Sequence, residues 1–199
     1  MSEVPDQPGR VIRHVAVFCG SNPGLGDTYE KAAAELGAAL ALRGVGIVYG
    51  GTHKGLMGIL ADAALAGGGH VHGVINQRLF DRGHLHPGLT LHEVVETMRV
   101  RKERMLGIAD ACIALPGGIG TLEEFMEAWT LNQLGEIDKP VGLYNVGGFH
   151  EPFMAFIDTM IAQKFLPPEH RNGIVVEADP EALIDALTAF EKPNVPKWL

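Results

Sequence analysis

The chain has 199 residues, 46% of them hydrophobic and 20% charged, which is typical of one well-buried globular domain. Its 16 basic and 24 acidic residues give a formal net charge of −8, which argues against binding to nucleic acid or an anionic membrane through the overall field. The polar first ten residues lack the apolar core of a signal peptide, and no run of about 18 apolar residues follows, so we expect a cytoplasmic protein.

Short apolar runs alternate with longer helical patterns along the chain. In chain order the sequence predicts strand 14–19, helix 27–44, strand 46–50, helix 55–69, strand 70–75, a weaker strand 89–95, helix 98–111, strand 111–116, helix 121–135, strand 141–146, helix 152–163, strand 173–178 and helix 180–190. Asp27 and Glu30 resemble a capping box at the start of the first helix, and Gly44 resembles its C-cap. Near-continuous apolar strands of this kind suit a parallel sheet covered on both faces.

This alternation predicts a single α/β domain with a doubly wound parallel sheet and helices on both faces. The domain is expected to span residues 13–191, between a flexible N-terminal tail at 1–12 and a C-terminal tail at 192–199. Cys19 and Cys112 each lie in an apolar run that is typical of a buried strand, and their spacing suggests neither a disulfide framework nor a metal site. We therefore expect both thiols to be reduced.

Three glycine-bearing loops follow predicted strands, at 19–27, 49–58 and 115–124. None matches the dinucleotide fingerprint or the phosphate-binding P-loop, and a single loop of this kind is more often only a tight turn. The carboxyl ends of parallel strands share one edge of the sheet, where the ligand crevice lies. Three such loops at one edge indicate a ligand the size of a nucleotide.

The third loop reads LPGGIGTLEE, with a glycine turn directly followed by two acids. Gly118, Gly120 and Thr121 can present N–H and hydroxyl donors to a phosphate at the start of a helix. Glu123 or Glu124 would be repelled by that same phosphate and would instead serve a neighbouring sugar. On spacing alone, capping of the helix by acids is an equal alternative.

The predicted helix at 98–111 begins with four cations, Arg99, Arg101, Lys102 and Arg104. Cations oppose the positive end of a helix dipole unless an anion lies nearby. Arg101 and Lys102 share a stripe with Met98 and Met105, so one of the two is expected to point into the cleft. The alternative is a solvated basic face balanced by acids in the same segment.

The motif PGGIGTLEE at 116–124, with Arg101-Lys102 upstream and YGGTHKGLMG at 49–58, resembles the Lonely Guy (LOG) family of cytokinin riboside 5′-monophosphate phosphoribohydrolases, long labelled as lysine decarboxylases. The similarity runs from about residue 14 to residue 190. It implies a Rossmann-like fold and a homodimer with its sites near the subunit interface. The implied reaction is hydrolysis of the N-glycosidic bond of a purine nucleoside 5′-monophosphate, a cytokinin nucleotide or AMP, to free base and ribose 5-phosphate.

The resemblance also assigns roles to residues by their position in the motifs. Phosphate contacts are implied for Gly118, Gly120 and Thr121, and nucleotide contacts for Gly20, Ser21, Gly50, Gly51, Met57 and Lys102. Arg101 and Glu124 are implied to be catalytic. Positive charge develops on the ribose during glycosidic cleavage, so Glu124 can stabilise it, hold the hydroxyls or activate water, while Arg101 stabilises negative charge on the base or the phosphate. We expect no metal ion and no cofactor.

Two positions depart from the family pattern, with Gly83 where relatives commonly carry an acid and Arg99 where they carry a histidine. The choice among an isopentenyl-type cytokinin nucleotide, AMP and another purine nucleotide is therefore open. A non-catalytic nucleotide or cofactor carrier on the same scaffold is the second hypothesis. Such a carrier would need neither Arg101 nor Glu124, so their presence favours the enzyme.

Several remaining side chains are assigned ordinary structural roles. The pairs His70/His72 and His84/His86 lack a recognisable further metal ligand and are expected at the surface or an interface. Phe125 and Trp129 are expected in the core or in dimer contacts. Two lysines, Lys54 and Lys102, do not by themselves indicate a Schiff base with pyridoxal phosphate.

Overall fold

The computed structural model describes residues 10–193 and 195, which fold around a seven-stranded parallel sheet of order β4-β3-β2-β1-β5-β6-β7. The strands are β1 (His14–Phe18), β2 (Gly46–Tyr49), β3 (Val71–Asn76), β4 (Leu91–Val95), β5 (Ala111–Ala114), β6 (Val141–Tyr144) and β7 (Ile174–Glu177). The helices are α1 (Thr28–Leu42), α2 (Gly55–Ala66), α3 (Gln77–Asp81), α4 (Met98–Ile108), α5 (Ile119–Leu134), α6 (Glu151–Ala162) and α7 (Pro180–Thr188). Short 3₁₀ segments cover Val146–Gly148 and Pro168–Gly173. The predicted doubly wound α/β fold is confirmed.

Helices cover both faces of the sheet because successive strand residues point to opposite sides. In β1, Val15 and Val17 pack into the core formed with α1, α2 and α7. The alternate residues Ala16 and Phe18 pack into the second core, formed with α4, α5 and α6. Phe125 and Trp129 of α5 are buried in that second core, which confirms their predicted place in the core.

The strand order reverses beside β1. From β1 the chain steps outward through β2, β3 and β4, and it then returns to place β5 on the other side of β1 before continuing to β6 and β7. The loops after β1 and β5 consequently diverge and leave a crevice at the carboxyl edge, the place where ligands bind in open α/β sheets. The sequence places Gly20 and the PGGIGT turn at this point.

Most predicted elements are confirmed, and three local details differ. The weak strand at 89–95 is real and forms the edge strand β4. Helix α5 begins at Ile119, two residues before its predicted start. The capping-box prediction is wrong because the Asp27 side chain makes no capping hydrogen bond and lies 2.6 Å from Lys31 Nζ. Helix α3 was not predicted, although Asn76 caps it by accepting from the Leu79 N–H at 3.0 Å.

Residues 1–9, 194 and 196–199, which make up most of the predicted tails, lie outside the described residues. Arg10, the first described residue, donates to Asp138 Oδ1 at 2.7 Å and to the carbonyl of Phe190. In the described part of the chain, no helix has the length and apolar character needed to cross a membrane.

Candidate active site

Backbone hydrogen bonds join the three glycine loops at the carboxyl edge of the sheet. The Leu56 N–H donates to the Gly20 carbonyl at 3.0 Å, and the Gly20 N–H donates to the Pro116 carbonyl at 3.1 Å. The Gly20 loop therefore lies between the other two. The loops border a cleft of about 660 Å³.

Most of the predicted site residues meet in this cleft. Its lining includes Gly20, Ser21, Gly50, Met57, Arg101, Gly118, Gly120, Thr121 and Glu124. Gly51 and Lys102, which were predicted to contact the nucleotide, are not part of the lining. Residues that were not predicted as site residues also line it, among them Lys54, Leu79, His84 and Met98.

A buried ion pair lies in the cleft. Arg101 of α4 is only 6% exposed, and its Nε donates to the Val74 carbonyl at 2.9 Å. Its Nη1 lies 3.3 Å from Glu124 Oε1 on α5. Burial raises the pKa of Glu124 while the nearby Arg101 charge acts in the opposite direction, and burial lowers the pKa of Arg101. The pair thus presents a carboxylate more basic than usual beside a fixed guanidinium.

Gly50 makes room for that guanidinium. A Cβ atom at Gly50 would lie 1.8 Å from Arg101 Nη2 and 2.3 Å from Met57 Cε. Gly50 is therefore required sterically where the Arg101 and Met57 side chains meet. Gly51 serves the backbone turn, because its φ of 72° is a conformation that favours glycine, and a Cβ atom there would lie 3.3 Å from Ile75 Cβ.

The start of α5 has the features of a seat for an anion. Gly118 is its N-cap, and no side chain of the described residues caps the first turn. A Cβ atom at Gly118 or Gly120 would meet no atom within 4 Å, so the backbone there opens onto free space. Free N–H groups at the positive end of a helix dipole suit a phosphate. Glu124 lies one turn further along, four residues after Gly120, on the same face of the helix.

The other three cations of α4 pair with nearby carboxylates and do not line the cleft themselves. The Lys102 ammonium pairs with Glu123 and lies 2.9 Å from Glu127 Oε2, and its role in substrate binding stays a prediction. Arg99 lies 3.1 Å from Glu103, and Arg104 lies 2.7 Å from Glu93. Arg101 alone among the four enters the cleft.

Glu123 does not cap α5, which rules out the alternative of helix capping for this acid. Because α5 begins at Ile119, Glu123 falls beyond the first turn, which contains no acid. Its carboxylate pairs with Lys102 instead. The two acids of the motif thus have different cationic partners, and only Glu124 is buried beside a guanidinium.

The opposite wall of the cleft comes from α3, from the loop after it and from the start of α4. The His84 carbonyl accepts from the His53 N–H at 3.2 Å, and the His86 N–H donates to the Gly51 carbonyl at 2.9 Å. These bonds hold the loop against the second glycine loop. Sequence reasoning missed this wall because α3 is too short to show a helical period, and the only local signal was the Asn76 cap.

Two histidines that were expected at the surface or an interface are buried. His86 Nδ1 accepts from the Gly88 N–H at 3.1 Å, and its Nε2 lies 2.9 Å from Asp62 Oδ1. His72 Nε2 lies 3.0 Å from Glu93 Oε1. In residues 10–193 and 195, no group of three or more His, Cys, Asp or Glu side chains is arranged to hold a metal ion.

Comparison with known proteins places the chain among nucleotide-processing relatives. Residues 57–187 match the sequence model of a family described as possible lysine decarboxylase. The chain is 46% identical over 181 residues to the probable cytokinin riboside 5′-monophosphate phosphoribohydrolase LOGL2 of Oryza sativa subsp. japonica, covering 90% of this chain and 73% of the relative. It is 44% identical over 181 residues to the cytokinin riboside 5′-monophosphate phosphoribohydrolase LOG1 of Arabidopsis thaliana, covering 90% and 84%.

Solved structures with a similar fold have lower sequence identity. The molybdenum cofactor carrier protein from Chlamydomonas reinhardtii superposes with a TM-score of 0.66 at 20% identity, covering 89% of this chain and 98% of that one. The molybdenum cofactor binding protein from Rippkaea orientalis gives a TM-score of 0.64 at 23% identity, covering 86% and 93%. These similarities concern the fold alone.

Proposed function

Since the chain belongs to the LOG family, we propose that it is a hydrolase that cleaves the N-glycosidic bond of cytokinin riboside 5′-monophosphates. The products are the free base and ribose 5-phosphate. AMP is proposed as a second substrate, because it offers the same phosphate, ribose and purine. The single observation that carries the proposal is the buried Arg101–Glu124 pair beside the anion seat of α5.

The geometry suits this reaction step by step. The 5′-phosphate binds the N–H groups at the start of α5, which directs the ribose toward Glu124 one turn further along. Glu124 stabilises the positive charge that develops on the ribose or activates the attacking water. Arg101 stabilises negative charge on the departing base or on the phosphate.

The Arg101–Glu124 pair distinguishes the enzyme hypothesis from the carrier hypothesis. A carrier needs the anion seat alone, whereas burial of an ion pair carries a desolvation penalty that its mutual attraction does not reliably offset. The presence of Arg101 and Glu124 in the cleft is therefore better explained by chemistry than by stability. The apolar side chains of Met57, Leu79 and Met98 in the lining also suit an isopentenyl substituent on the base.

Phosphate dependence provides the first test. Purified protein incubated with AMP or isopentenyladenosine monophosphate should release free base and ribose 5-phosphate, detected by chromatography. The matching nucleosides should be turned over roughly 100-fold less efficiently, because they lack the group that binds α5. Equal turnover of adenosine and AMP would contradict the phosphate seat. Binding of both nucleotides without any release of base would support the carrier.

We also propose a homodimer with its sites near the subunit interface. Exposed apolar residues lie on the two helices that contribute to the cleft, with Met98 and Val100 on α4 and Ile119 and Leu122 on α5, and Ile119 is 89% exposed. Burial of such a patch favours association. Light scattering after size exclusion should give the mass of two chains, and Leu122→Glu should shift it toward one. A single-chain mass for the unmodified protein at micromolar concentration would refute the dimer.

A cytoplasmic location is proposed as well. Cys19 and Cys112 are both buried and free of disulfides. Unpaired cysteines are typical of a reducing compartment, where such a hydrolase would meet its nucleotide substrates.

A further inference from the structure

Lys54 is a cation in the active-site cleft that the proposed mechanism does not yet use. It lines the same cleft as Gly118, Gly120, Thr121 and Glu124. Its side chain is exposed, and it forms no ion pair with a carboxylate of the described residues. The two carboxylates in the lining are already paired, Glu124 with Arg101 and Glu123 with Lys102. Among the described residues that line the cleft, Lys54 is thus the lysine or arginine whose charge is available to an anionic ligand.

The position of Lys54 in the fold is unfavourable without an anion. It is the N-cap of α2, with φ of −89° and ψ of 143°, and no side chain caps this helix among the described residues. The first turn of α2 contains no acid. A cation there faces the positive end of the helix dipole, a placement that opposes stability. An anion bound in the cleft would remove that penalty.

Tight backbone packing holds Lys54 close to the phosphate seat. A Cβ atom at Gly55 would lie 2.3 Å from the Ser21 carbonyl carbon and 2.5 Å from the Asn22 nitrogen, so this backbone packs directly on the first glycine loop. That loop is bonded in turn to Pro116, two residues before the N-cap of α5. Lysine carries its charge on a flexible four-carbon stem, which suits binding to a phosphate across such a cleft.

We propose that Lys54 binds the 5′-phosphate of the substrate with its ammonium group and so sets the preference for nucleotides over nucleosides. The inference rests on the proposed function. A phosphate monoester is close to a dianion at pH 7, while the helix terminus supplies only a partial charge. Lys54 provides the full positive charge that the rest of the lining, with its paired ions, lacks.

Kinetics of the full-length protein test this role. In Lys54→Ala the KM for AMP should rise roughly 10- to 100-fold, the range expected for one charge-assisted hydrogen bond. The kcat should stay within about threefold, because the contact is the same in the ground state and the transition state. Turnover of adenosine should not change, and Lys54→Arg should retain most of the affinity for AMP. Lys31→Ala, a surface lysine paired with Asp27, is the matched control and should behave as the unmodified protein.

The outcomes separate this inference from the proposed function. An unchanged KM for AMP in Lys54→Ala, or equal losses with AMP and adenosine, would overturn the role of Lys54. Binding of inorganic phosphate, measured by calorimetry on the same variants, gives a readout that does not need turnover. A tenfold or greater loss in Lys54→Ala alone would support the inference even if no nucleotide is hydrolysed, and equal phosphate affinity in all variants would refute it.

Discussion

Replacement of Glu124 by glutamine is expected to lower kcat for AMP by about 10³-fold, while the affinity for AMP stays within about threefold. Glutamine keeps the shape of the side chain but can neither carry the negative charge that stabilises the ribose cation nor accept a proton from water. The phosphate seat on α5 is unchanged in this variant, so binding should persist. Single-turnover kinetics and equilibrium binding measure the two quantities separately.

Glu123→Gln is the matched control, because it removes the adjacent acid of the same motif. Glu123 pairs with Lys102 and is more exposed than Glu124, so its loss should change kcat by less than about threefold. Turnover that survives in Glu124→Gln would refute the mechanism. Equal losses in the two variants would show that general negative charge, and not a positioned carboxylate, is required.

The pH dependence of activity shows which protonation state of Glu124 is active in catalysis. Burial raises the pKa of this carboxyl above its ordinary value. If the carboxylate acts on the ribose or on water, kcat/KM falls as the pH drops through that raised pKa, so the acidic limb begins at a higher pH than for an exposed glutamate. Loss of activity as the pH rises through the same pKa would instead assign Glu124 as a general acid. The limb should disappear in Glu124→Gln.

The sequence was sufficient to predict the sheet because most of its strands are buried on both faces. In the run 14–19 every residue after His14 is apolar, a pattern typical of a strand in a parallel sheet between two helical layers. Strand β4 gave a weaker signal because it lies at the sheet edge, where residues such as Leu91 and Val94 are exposed. Helix α3 gave none, since its five residues are too few for a 3.6-residue period.

The site residues were predictable where backbone geometry dictates the residue type. They were less predictable where the packing of two helices decides which side chain enters the cleft. The glycine turn before α5 indicated an anion seat on its own. The choice between Arg101 and Lys102 depended on contacts between α4 and α5, because Lys102 reaches Glu127 on a helix that is distant in sequence. The sequence likewise could not show that position 50 requires glycine, since Arg101, whose guanidinium would clash with a Cβ atom there, lies 51 positions later in the chain. Long-range packing of this kind leaves no local pattern.

Removal of the guanidinium should also nearly abolish the reaction, with kcat/KM for AMP about 10²- to 10³-fold lower in Arg101→Ala. The reason is that a donor fixed by the Val74 carbonyl and by Glu124 needs no reorganisation when charge develops on the base or the phosphate. Arg99→Ala is the control on the same helix, since its side chain is exposed and pairs with Glu103. It should lose less than about twofold. Equal losses in steady-state assays of the two variants would instead indicate a diffuse basic patch.

Gly50→Ala tests the position of the guanidinium without removing its charge. The added methyl group would lie 1.8 Å from Arg101 Nη2, so the side chain must turn away from the Val74 carbonyl or from Glu124. We expect kcat/KM to fall by at least about tenfold, because a misplaced donor no longer stabilises the transition state. Gly107→Ala on α4 is the matched control, since a Cβ atom there meets nothing within 4 Å. Full activity in Gly50→Ala would mean that the charge of Arg101 matters and its fixed position does not.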